Sequence, residues 1–414
     1  MTPRRAEVGI VYLGGLAQGL SLVTFPAVSA IFTDPKGYRL TSSEYGSLFV
    51  PMVVLAVAGS SLGARAARRG GLKWVFVAGL CFNLASMAIL TLSQWFVGWH
   101  DVAYRLLLAA TAALGAGFGT TLMALNTYVA GFFPQKSEVA LPALHAFLGT
   151  GTALAPVLVV VFVGAAMWWL LPLAVTAAFL VLLLVSLTQP LTIASPVRTA
   201  RVDGSALAQR QIPARLLVYV AAVFLYGICE TVFGNWSTIY LKTEVRVPLY
   251  WAELALAAFW AMVTVGRIAV AIVSAWVDAR WIYAMLPVFI LAAFLGIPRV
   301  GGVAAANVVA FGFAGVACSA FFPLSISLAE QEYSRMAAAV SGGLVAAYMV
   351  GYGVGAFGVG PIRDAGHLAL STVYTDTSVL AAGMAVVAFV LAWPRRDPAH
   401  GTQLREGSDE DRAR

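Results

Sequence analysis

Charge is what this chain has least of. Lys, Arg, Asp and Glu make up 11% of it against 60% hydrophobic residues, where soluble domains carry about 25% charged residues. Packing in water cannot hide that much apolar surface, so a water-soluble enzyme or binding module is excluded. Cysteine is scarce too. Cys81, Cys229 and Cys318 are odd in number and all fall within apolar runs, which leaves no disulfide framework and no CxxC metal site. His100, His145, His367 and His400 are scattered and offer neither a metal cluster nor a catalytic triad spacing. GYGVGAFGVG at 351–360 lacks the Lys-Ser/Thr ending and the preceding strand of a phosphate loop. No metal, cofactor or enzymatic activity is therefore expected, and ATP-driven pumping by this chain alone is not indicated. The net charge of +7 is not gathered into a basic and aromatic patch, so no nucleic acid is expected.

What the chain has is long apolar runs. A bilayer core of about 30 Å takes about 20 helical residues, and runs of that order lie near 8–33, 46–66, 72–96, 103–133, 140–166, 169–189, 215–241, 252–278, 281–297, 301–329, 337–362 and 373–394. The spacing predicts an all-α membrane protein of twelve transmembrane helices. Arg4 and Arg5 before the first run, with AVSA at 27–30, imitate a secretory signal, but the run is too long for one. With both termini in the cytoplasm, most of the 26 basic residues fall on inner segments, as the positive-inside rule asks. Arg over Lys and abundant Ala suggest a bacterial source and hence an inner (plasma) membrane. A lipid bilayer is the expected surrounding, and a monomer the expected state.

The polar stretch QPLTIASPVRTARVDGSALAQRQIPA at 189–214 separates six runs from six. The expected organisation is an N-terminal six-helix bundle at 1–189, a cytoplasmic linker at 190–214, a C-terminal six-helix bundle at 215–394 and a disordered cytoplasmic tail at 395–414. The loop GARAARRGGLKW (63–74) after the second run is echoed by SAWVDARWIY (274–283) after the eighth. A parallel repeat of six-helix halves is a transporter architecture, with its site near the midplane between the halves.

Inside the seventh run, GICETVFGNWSTIY (227–240) holds Glu230 with no basic residue within a helical turn. A carboxylate in lipid costs from about 2.5 to more than 10 kcal/mol, so it faces either a water-filled cavity or a structural partner. Helical spacing puts Tyr226, Glu230, Phe233, Gly234 and Ser237 on one stripe, with Asn235 and Trp236 beside it. Aromatic rings stack on sugar faces while carboxylates and amides take hydroxyls, so this lining suits a small polar solute.

At these residues the sequence resembles the major facilitator superfamily. That resemblance implies two pseudo-repeat bundles, a cavity lined by the first, fourth, seventh and tenth helices, and a cytoplasmic gate of the GxxxDRxGRR type. Gly63, Arg68, Gly70 and Lys73 fit the gate motif, Ala67 replaces its usual aspartate, and Asp278 with Arg280 supplies the second half. GAGFGTTLMALNTY (115–128), LPALHAFLGTGTALAP (141–156) and YGICETVFGNWSTIYL (226–241) are similar to the fourth, fifth and seventh helices of the fucose, galactose and glucose proton-symporter branch. The branch's fourth-helix glutamate is Leu122 here, and its first-helix carboxylate has only Gln18 in its place.

Glu230 is thus the expected proton-coupling group. Gln18, Asn126, Tyr226, Phe233, Ser237, Asn235, Trp236 and His145 are the expected substrate contacts, each with interhelical packing as its other reading. The expected function is secondary active transport of a small-molecule substrate, such as a monosaccharide, in symport with protons. Two rivals stay open: a proton-coupled exporter of amphipathic compounds and a non-transporting receptor on a carrier fold. Ala155-Pro156 in place of Gly-Pro in the fifth helix speaks against the exporter, and Gly360-Pro361 in the eleventh weakens the point.

Overall fold

The computed structural model describes residues 5–164, 167–193 and 213–393. Most of the expected linker at 190–214 and all of the tail at 395–414 lie outside them. The described residues hold twelve helical spans long and apolar enough to cross a bilayer: α1 Arg5–Phe32, α2 Ser42–Gly70, α3 Leu72–Phe96, α4 His100–Phe132, α5 Val139–Val163, α6 Leu170–Thr188, α7 Ala214–Thr243, α8 Leu249–Val273, α9 Ala279–Arg299, α10 Ala304–Glu332, α11 Ala339–Gly366 and α12 Leu370–Ala392. An even number of crossings puts Arg5 and Ala392 on one face, called the termini face below; the other is the far face.

The helix ends follow from local chemistry. Thr41 caps α2 with a full capping box, its side chain accepting from Glu44 N while the Glu44 carboxylate accepts from Thr41 N. Glu44 also meets His100 Nε2 at 2.8 Å, which ties the start of α2 to the start of α4. At its other end α2 does not stop near 66. It continues to Gly70, because Arg68 and Arg69 in the last turn complement the helix dipole, and the chain turns at Gly71, whose φ of 91° favours glycine.

Two halves repeat one packing scheme. In the first, α1 packs on α5, α2 on α4 and α3 on α6; in the second, α7 packs on α11, α8 on α10 and α9 on α12. Glycines set the closest approaches at equivalent places. A methyl on Gly19 of α1 would sit 1.9 Å from the Leu148 carbonyl oxygen, and one on Gly151 of α5 would sit 2.1 Å from that of Leu16. Their counterparts are Gly227 of α7 against Tyr348 O at 2.5 Å and Gly351 of α11 against Phe224 O at 2.1 Å. Backbone contact of this kind is how small residues bring membrane helices together.

Across the halves, α2 meets α11, α5 meets α8 and α1 meets α7. The α2 to α11 contact is drawn tight at the far face. There Ser43 N donates to Asp364 Oδ2 at 2.7 Å, Arg363 Nη1 donates to Ser42 Oγ at 2.8 Å, and Tyr45 Oη donates to Asn235 O at 2.9 Å. Within the second half, an ion pair with Glu244 at 3.6 Å holds Arg363 in place. The far-face ends are sealed from one half to the other.

Candidate functional site

Near the middle of the bundle α10 is not one helix. Sequence hydropathy predicts an unbroken run over 301–329, whereas the structure stops one helix at Cys318 and starts another at Phe321. Pro323 supplies the reason: it has no N–H to give the carbonyl four residues earlier, that of Ser319. Arg267 of α8 fills the vacancy, its Nε donating to Ser319 O at 3.0 Å. Arg267, inside an apolar span, thus spends a donor on this freed backbone.

The neighbouring carbonyl, Cys318 O, lies 2.7 Å from Tyr226 Oη, which is also 2.8 Å from Glu230 Oε1. Glu230 Oε2 accepts from Tyr348 Oη of α11 at 2.5 Å. Counting hydrogens gives two forms of this site: with Glu230 ionised, Tyr226 donates to the carboxylate. Tyr226 has a single hydroxyl hydrogen and Cys318 O has none, so when Tyr226 donates to the carbonyl, the hydrogen towards Glu230 comes from the carboxyl itself. In that second form the protonated acid has a donor facing one oxygen and an acceptor facing the other. No ion pair reaches Glu230 among the described residues, although the charge of Arg267 acts on both Glu230 and His145.

Only part of the predicted stripe is one site. Tyr226 and Glu230 touch, and Tyr226 stacks on Phe321 with ring centroids 5.3 Å apart. Phe322 lies tilted against Tyr348 with centroids 4.6 Å apart, and both are half-buried. Phe233 turns away, stacked 4.0 Å from Phe294 in an aromatic cluster with Phe259, Phe311 and Tyr374. Asn235, Trp236 and Ser237 lie nearer the far face. Asn235 Oδ1 accepts from Tyr352 at 3.2 Å, the Trp236 indole sits edge-on to Tyr45 at 5.1 Å, and Asn235 Nδ2, Trp236 Nε1 and Ser237 Oγ are buried without hydrogen-bond partners.

Gln18 is buried within the first half. Its Nε2 donates to Asn83 Oδ1 at 3.2 Å and its Oε1 accepts from Asn83 Nδ2 at 2.9 Å, with Asn83 also donating to Thr121. Asn126 of α4 is half-buried and its Oδ1 has no partner. His145 of α5 is half-buried, about two turns from the termini-face end of its helix.

The expected gate residues are apart. Lys73 Nζ donates to Leu187 O at 3.0 Å and Gln189 O at 2.7 Å, both within the first half. Asp278 caps α9 by accepting from Arg280 N, and Arg68, Asp278 and Arg280 are exposed. With the far face sealed and these side chains apart, the molecule stands closed on the far side.

Tyr348, Tyr352, Tyr45 and Asn83 belong to these networks and escaped the sequence reading, because tyrosine and asparagine in apolar runs carry no distinguishing period. Glu253 escaped it too. It is a fully buried carboxyl on α8 with both oxygens unpartnered, and the rule that singled out Glu230, an acid inside an apolar run, applies to it equally.

The family model for the Major Facilitator Superfamily matches residues 10–356, as the sequence resemblance implied. No curated protein matches the sequence significantly. Among solved structures, a D-xylose-proton symporter is similar with TM-score 0.74 at 15% identity, over 94% of this chain and 97% of that one. The nucleoside transporter NupG aligns with TM-score 0.74 at 14% identity over 95% and 100%. The E. coli fucose:proton symporter FucP aligns with TM-score 0.57 at 16% identity over 94% and 97%. At such identities the likeness is one of fold.

Proposed function

Since the chain belongs to the Major Facilitator Superfamily and is a multi-pass membrane transporter, we propose that it moves a small polar solute, such as a monosaccharide, in symport with protons by alternating access. The observation that carries this reading is Glu230, an acid buried to 3% exposure near mid-span and bonded by tyrosines from its own helix and from α11. A group so placed binds a proton when the cavity closes and releases it when water returns, because its ionised form is expensive to desolvate. Its partners sit on elements that carry the two conformations. Tyr348 belongs to α11, which forms the seal with α2, and Tyr226 reports to the break in α10.

Half-buried Tyr348, Phe322, Asn126 and His145 provide rings and hydrogen-bonding groups for a polyhydroxylated solute. Proteoliposomes with an imposed pH gradient test the reading. Uptake of a labelled monosaccharide should run uphill with the gradient and collapse with a protonophore; uptake indifferent to the gradient would leave a facilitator rather than a symporter.

Asn126→Ala should raise the apparent Km about 5- to 150-fold, the loss of one buried hydrogen bond of about 1 to 3 kcal/mol, with membrane expression unchanged. An unaltered Km would assign Asn126 to helix packing. Orientation follows the charge asymmetry, with the termini face cytoplasmic and the protein a monomer in the inner membrane. In intact cells Thr402→Cys should be shielded from an impermeant thiol reagent while Val245→Cys, in the far-face loop, labels. The reverse pattern would invert the topology.

A further inference from the structure

We propose that Glu253 is a second proton-binding site, loaded from the far-face solution and covered when the far-face seal closes. The proposal relies on the transporter reading for its two end states and not on Glu230 being the coupling group.

Glu253 lies four residues, about 6 Å, from the far-face end of α8, yet it is 0% exposed and neither carboxyl oxygen has a hydrogen-bond partner. A carboxylate accepts from several donors when ionised, and an uncompensated buried charge is among the costliest defects a protein can carry. Sealed as it is here, the group holds a proton.

The other half packs on its helix through α5. Tyr45 of α2 is fully buried at the same far-face level. The same tyrosine donates across the halves to Asn235 O and packs edge-on against Trp236. When the first half swings away at the far face, Tyr45 leaves α7, α5 parts from α8, and water reaches the carboxyl. Hydrated, it ionises at neutral pH as an ordinary glutamate does. Proton binding therefore favours the closed far face and proton release the open one.

The other groups around the site leave this role to Glu253. Tyr352 of α11 acts on Tyr45 and donates to Asn235. On α7 the neighbouring Trp236, Ser237 and Thr238 are uncharged, and Glu230 is engaged with its tyrosines. Glu244 is paired with Arg363. The first segment of α10 has no ionisable side chain before Cys318, and α5 has none from Ala146 to Val163. On α8 itself Arg267 lies fourteen residues further on, about 21 Å along the axis.

The test uses the full-length protein in lipid with Cys81, Cys229 and Cys318 replaced by alanine and spin labels at Lys36→Cys and Arg246→Cys, exposed far-face positions in opposite halves. Their distance distribution gives the open fraction. With Glu253 intact, the open-to-closed ratio should fall as pH falls, by up to about tenfold per pH unit for one linked proton. Glu253→Gln should stay closed across the same range. A Glu253→Gln protein whose far face opens and closes with the wild-type pH slope overturns the proposal, whatever the outcome of proton-driven uptake. Should Glu253→Gln fail to insert, Glu253→Asp carries the test: a displaced midpoint with the slope kept supports the site, and an unmoved midpoint overturns it.

Discussion

Glu230→Gln will lose accumulation driven by a pH gradient while keeping exchange. For one-to-one coupling each pH unit of gradient is worth about 1.4 kcal/mol, or about a tenfold accumulation ratio, so the wild type should concentrate its solute by that factor and the variant should stop at a ratio of one. The reason lies in the hydrogen count at the site. A glutamine amide places a donor towards Tyr226 Oη and an acceptor towards Tyr348, which reproduces the protonated form of the acid. The variant is then locked in the proton-loaded form with the α10 break still held, so the cavity can close around solute. Counterflow, which needs no net proton movement, should persist at a rate within about twofold of wild type and lose its dependence on pH. Uphill uptake by Glu230→Gln with protons as the only driving force would remove Glu230 from the coupling step.

The twelve crossings and the equivalence of the halves were legible because both rest on one-dimensional signals, apolar run length and the charge of the loops. Glu230 was legible for the same reason, and so was its contact with Tyr226, four residues away and hence on the same helical face. What escaped depends on the relation between distant segments. Pro323 announces a fault in α10, but the donor that makes the break stable is Arg267, fifty-six residues earlier, and only packing of α8 on α10 brings them together. Gln18 has the residue type of a cavity group, yet Asn83, sixty-five residues away, engages both ends of its amide. Phe233 shares the stripe of Glu230, and a helix with partners on several sides spends that stripe on more than one neighbour: α11 and α10 take Tyr226, while α9 and α12 take Phe233. The expected gate residues resemble a motif whose contacts would form at a closed termini face, and the conformation seen is closed at the opposite end.

Gly360→Val should abolish transport while the protein still folds and reaches the membrane. A methyl at this position of α11 would lie 2.3 Å from Ser42 O and 2.7 Å from its carbonyl carbon, and those are backbone atoms of the facing half, unable to rotate out of the way. The clash exists only when α2 and α11 are drawn together at the far face, so it penalises one end state of the cycle and leaves packing within each half untouched. Overpacking of about 1 to 3 kcal/mol would reduce the closed population about 5- to 150-fold, and a backbone contact this short belongs at the upper end. Gly358→Val is the matched control: it sits two residues away on the same helix, and a methyl there meets nothing within 4 Å, so it bears the same change in helix propensity without the clash. Transport should fall at least about tenfold in Gly360→Val and stay within about twofold of wild type in Gly358→Val, with spin labels at Lys36→Cys and Arg246→Cys reporting a far face held open in the first and closing normally in the second. Wild-type rates in Gly360→Val would mean that the cycle does not pass through the far-face seal, because no arrangement of α2 against α11 at the observed separation has room for the valine.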